Sequence, residues 1–70
     1  MTRATVTRNE ITSIKALTAY VAYNKSVPEE VVTAYLHAEF NVPTIDKLRR
    51  EDYEDVVKFL VDLRKELMIN

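Results

Sequence analysis

Apolar residues recur at helical spacing in three stretches of this chain, divided by two sets of stop signals. Ile11, Ile14, Leu17, Thr18 and Val21 fall on one stripe of a helix. Just before them Thr7 and Glu10 stand three apart, a capping box in which each side chain accepts from the other residue's amide, so the first helix is predicted to start at Arg8. Ala16, Ala19 and Ala22 are expected to let neighbouring elements approach it closely, and the helix should fade near Asn24 and Lys25. Ser26-Val27-Pro28-Glu29 reads as a second capping box with proline in the first turn, which starts the second helix at about Val27. Val32, Tyr35, Leu36 and Phe40 form its apolar face, with Val31 at the margin. Asn41, able to take a left-handed conformation, and then Pro43 end it.

Thr44 to Leu48 is too short for an independent helix and is expected to make a single turn, with Ile45 and Leu48 directed inward as plugs. Tyr53, Val56, Val57, Leu60, Leu63 and Leu67 then repeat at helical spacing and predict a last helix over about residues 50 to 68, the longest of the three. Acidic residues crowd its start while Arg64 and Lys65 lie near its end, the order that suits the helix dipole. Residues 1 to 6 show no helical period and precede the first cap, so they are expected to be a flexible leader, with a single helical domain over residues 7 to 70. The predicted fold class is all-α: a compact three-helix bundle with an extra short helical turn between the second and last helices.

Composition narrows the functions open to such a bundle. A domain of 70 residues buries a modest share of its surface, and without cysteine it has neither disulfides nor a thiolate zinc site to reinforce it. Glycine is also absent, which removes the loops that cradle nucleotide phosphates. No apolar run approaches the roughly 18 to 20 residues of a membrane span, and the polar start leads into no signal-peptide core, so the default expectation is a cytoplasmic protein that does not enter a membrane. A net charge of −1 gives no overall pull toward nucleic acid or an anionic lipid surface.

The remaining chemistry is sparse. Glu51, Asp52, Glu54 and Asp55 are expected to be a solvated first turn rather than a metal site. His37, the sole histidine, lies toward the polar flank of its helix with no second histidine or cysteine to complete a metal shell or a nucleophile pair. Lys47, Arg49 and Arg50 form the densest basic run, a nucleic-acid contact if Arg8, Lys15 or Lys25 gather beside them. Phe59 and Val61 flank the last helix's stripe, and with Val31, Tyr20 and Tyr23 they widen the apolar surface beyond what a three-helix core needs.

From the first helix through Phe40-Asn41-Val42 and Ile45-Asp46-Lys47-Leu48 to Tyr53-Glu54-Asp55-Val56-Val57-Lys58-Phe59-Leu60, residues 10 to 63 resemble a small helical module of phage and prophage proteins. Single-strand annealing proteins and Mu-like regulatory proteins carry such modules. The chain departs from the family pattern at Arg49, where a threonine or serine cap is usual, and at Asn41, which stands in for a glycine. The resemblance implies an accessory domain of mobile-element origin, recruiting a partner or lying near DNA, with no activity of its own.

These readings converge on a non-enzymatic protein-interaction module without cofactor or small-molecule substrate. It is expected to self-associate, as a homodimer for instance, or to recruit a protein through Tyr20, Tyr23, Phe59 and Val61. The alternative is a small nucleic-acid-associated regulator using Lys47, Arg49 and Arg50.

Overall fold

The first helix, α1 (Arg8–Lys25), starts at the residue its cap dictates in this computed structural model, which describes residues 4–66. Glu10 N donates to Thr7 Oγ1 at 3.1 Å and Thr7 N donates to Glu10 Oε1 at 2.8 Å, completing the capping box. At its other end Ser26 adopts φ 55° and ψ 41°, with its N–H directed to Tyr23 O and the N–H of Val27 bonding Ala22 O at 3.1 Å. That paired closure is a Schellman motif, with Val27 tucked against the core. The expectation that Ser26 caps the second helix is therefore corrected: with no glycine at hand, Ser26 ends α1, and its side chain makes no cap bond to the second helix.

Pro28 instead precedes α2 (Glu29–Phe40), two residues later than expected. Asn41 closes α2 at φ 54°, and Val42 N bonds His37 O at 3.1 Å, as the Asn-Val-Pro sequence predicts. A 3-10 turn, Ile45–Lys47, comes next with Ile45 and Leu48 buried, the two plugs expected there. A second 3-10 turn, Arg50–Asp52, leads into α3 (Tyr53–Glu66). The predicted helix from residue 50 thus opens with a tighter turn, while its expected end at 68, like Leu67, lies outside the described residues. Among those described, α1 with 18 residues is longer than α3 with 14, against the expected order.

Part of the expected leader is tied to the bundle. Residues 4–6 run antiparallel to residues 48–50: Val6 N bonds Leu48 O and Arg50 N bonds Ala4 O, each at 3.0 Å. Val6 is buried because it stands just before the α1 cap, where an apolar residue packs back toward the fourth helical position, here Ile11. Residues 1–3 lie outside the described residues.

One cluster forms the core: Ile14, Val21 and Ala22 of α1, Val32 and Leu36 of α2, Val56, Leu60 and Leu63 of α3, with Val6, Ile45 and Leu48 plugging its base. Thr18 is buried among them, and its hydroxyl donates to Lys15 O at 2.8 Å with Glu29 Oε2 3.4 Å away, so the one polar residue buried among the described residues is satisfied and lies beside the start of α2. Ala16 and Ala19, expected at helix contacts, face solvent; Ala22 alone of the three is in the core. Tyr35 is half exposed, because the core direction set by Val32, Leu36 and Phe40 lies roughly 100° around the helix from it. Nearby contacts fix the course of the chain. Thr18 lies beside Glu29 while Ile11 shares a crevice with His37, so α2 returns antiparallel to α1; Glu10 meets Arg50 and Tyr20 meets Arg64, so α3 rises parallel to it.

Candidate protein interface

On α1, charged residues avoid the face turned away from the core. Thr12, Ser13, Ala16, Ala19, Tyr20, Tyr23 and Asn24 are all exposed and uncharged, a run of three turns in a chain that is 30% charged. Tyr23 is 86% exposed and Tyr20 50%. One edge of this face continues onto α3: Ser13, Ala16, Leu17 and Tyr20 line a shallow groove of about 400 Å³ with Tyr53 and Val57. Val61, 37% exposed and one turn beyond Val57, extends that edge.

The groove's α3 rim is basic. The Arg64 guanidinium carbon lies 5.6 Å from the Tyr20 ring centroid, a cation–π arrangement that orients both side chains. Lys58 lines a neighbouring hollow with Tyr53, Val57 and Glu54, and Lys65 is exposed one turn past Val61. Partial desolvation and then the nearby Arg64 charge hold the Lys25 ammonium below its ordinary pKa.

Three of the four expected interface residues, Tyr20, Tyr23 and Val61, therefore lie on or beside one surface, and Phe59 does not. Its ring is half-buried against Phe40, centroids 5.9 Å apart and planes at 88°, in the seam between α2 and α3. Residues two apart on a helix point roughly 200° apart, so Phe59 and Val61 must leave opposite flanks of the α3 stripe. Phe59 belongs to the packing of the bundle.

The basic run is placed differently again. Arg49 Nε lies 3.4 Å from Asp52 Oδ2 and 3.6 Å from Glu51 Oε2, and Arg50 Nε lies 3.6 Å from Glu10 Oε2. Two of the three cations thus face carboxylates, while Lys47 is exposed beside Asp46. The Thr44 hydroxyl, foremost, with Lys47 and Lys15 in support, holds the Asp46 carboxyl below the ordinary range. Lys25 and the tyrosines sit at the other end of the bundle from Arg49 and Arg50, so no aromatic residue of α1 joins that run.

His37 is half-buried in a crevice of about 460 Å³ with Ile11, Lys15, Thr33 and Asp46 among its walls. Its buried Nε2 has no hydrogen-bond partner among the described residues. Among the described residues no three His, Cys, Asp or Glu side chains gather into a metal site, and no helix is long and apolar enough to cross a membrane. Compared with known protein families, curated proteins and solved structures, the chain gives no match.

Proposed function

We propose that the chain is a non-enzymatic protein-interaction module that docks a helix, from a partner protein or a second copy, along the outer face of α1 and the adjoining edge of α3. The observation that carries this reading is the uncharged α1 face from Thr12 to Asn24, continuous with the groove at Val57 and Val61. Small residues at Ala16 and Ala19 leave room for a backbone to come close, and Tyr20 and Tyr23 offer large contact areas that lose little rotamer freedom on binding. Charge depletion with exposed tyrosine is the composition of an interface centre, where burying unpaired charge would be penalised. The likeness of residues 10 to 63 to accessory modules of phage proteins is in keeping with it.

The test compares the wild-type chain with Tyr20→Glu/Val61→Glu, both changes being at exposed positions that leave the core intact. Both proteins should show the same helical circular dichroism, and only the wild type should associate, with itself or with a protein from its source cells. If the variant associates as the wild type does in every assay, the α1/α3 surface is not the docking face.

A further inference from the structure

Helix α2 is apolar on two sides. Val32 and Leu36 face the core, while Val31, Ala34, Tyr35 and Ala38, spaced i, i+3, i+4 and i+7, form a second stripe open to solvent, with Tyr35 50% and Val31 39% exposed. The remaining side of α2 is polar, carrying Glu29, Thr33 and His37, so the helix has two apolar stripes of which the bundle covers one. Exposed Glu30 and Glu39 stand roughly 80° to 100° to either side of Val31, so this stripe has acidic flanks. The groove of α1 and α3 has the opposite sign along its α3 rim, where Lys58, Arg64 and Lys65 outnumber Glu54 and Asp62.

We infer that the acid-flanked α2 stripe of one copy seats in the basic-rimmed α1/α3 groove of another, so that copies associate head to tail. This rests on the reading of that groove as a docking face and names its occupant. The two surfaces lie on opposite sides of the bundle: α1 meets α2 along Thr18 and Ile11 and meets α3 along Leu17 and Tyr20, so one chain cannot satisfy its own groove. Symmetric alternatives set like edges together, the Lys58–Lys65 edge against that of the copy groove to groove, or the Glu30 and Glu39 flanks against each other stripe to stripe; only the unlike pairing sets acidic flanks against a basic edge. Such a contact repeats instead of closing. The contact is one helix stripe in one shallow groove with charged flanks, so association should be concentration-dependent and weakened by salt.

Sedimentation equilibrium over roughly a hundredfold range of concentration at low ionic strength reads the outcome directly. The wild-type mass should climb with concentration. A groove variant, Tyr20→Ser/Val61→Ser, and a stripe variant, Val31→Ser/Tyr35→Ser, should each stay monomeric alone, with unchanged helical circular dichroism. Mixed in equal amounts they should form a dimer and nothing larger, since one keeps the stripe and the other the groove; Glu30→Lys/Glu39→Lys should match the stripe variant. A wild type that is monomeric throughout overturns the self-pairing, while the docking face still answers to its own test. Association lost in the groove variant but kept in the stripe variant means symmetric pairing, which overturns the head-to-tail arrangement and spares the docking face; association that ignores the groove variant overturns both.

Discussion

Ser26 and Asn41 both sit in the left-handed region, at φ 55° and 54°, in a chain without glycine. For a residue with a Cβ that conformation costs about 1–2 kcal/mol, less for asparagine, whose side chain tolerates it. Ser26→Gly should therefore raise the thermal midpoint, and by more than Asn41→Gly does, in parallel thermal unfolding runs. Asp46 gives a prediction in pH. Because the Thr44 hydroxyl and the neighbouring lysines lower its folded pKa, the unfolded chain binds more protons just below the ordinary carboxylate pKa, so its contribution to stability grows as pH rises through that window and is lost as pH falls. Asp46→Asn should flatten that part of the curve of urea midpoint against pH, and an unchanged slope would remove Asp46 as its source.

Between elements, the decisive feature is which signals are local. The Thr7 box and the Asn41 stop are read from a few adjacent residues, and both appear where the sequence places them. Ser26 misleads because a serine before proline serves either as a cap for the next helix or as the left-handed close of the last, and the short link leaves room for one role. The tether of residues 4–6 to 48–50 joins positions far apart in sequence, beyond the reach of periodicity, although apolar Val6 just before the cap is its local trace. Val6→Ala should cost about 1–2 kcal/mol in urea unfolding, since a buried valine loses two methyl groups; no loss would return these residues to the role of a loose leader. Phe59 and Val61 share a neighbourhood in sequence and opposite sides of α3 in space. Phe59→Asp should accordingly lower the thermal midpoint sharply by placing a charge against Phe40, and Val61→Asp should change it little.

At the scale of the molecule, eleven buried apolar side chains among the described residues, drawn from all three α-helices, the Ile45 turn and the flanking Val6 and Leu48, form one cluster, yet much of the aromatic surface stays outside it. The helix count, the plug turn and most core positions were legible from spacing, because each needs only a stripe. The interface was legible in composition, as surplus apolar residues, but not in place, because its continuity depends on α3 rising parallel to α1 and setting Val57 and Val61 beside Leu17 and Tyr20. The outer stripe of α2 is hidden in the sequence for a related reason: two stripes on one helix read as a single broad one until the core direction is known. The basic run at Lys47, Arg49 and Arg50 reads as a patch in sequence, while in the fold Glu10, Glu51 and Asp52 stand against its two arginines.

The central claim, that the uncharged face of α1 with the edge of α3 is a docking surface, is tested most directly by amide-shift titration of the labelled protein across its own concentration, repeated with short DNA at low salt. The account predicts concentration-dependent shifts centred on Tyr20, Tyr23, Val57 and Val61 and none from DNA. Shifts confined to Lys47, Arg49 and Arg50 that appear with DNA and fade as salt is added would contradict it and assign the molecule's contacts to nucleic acid.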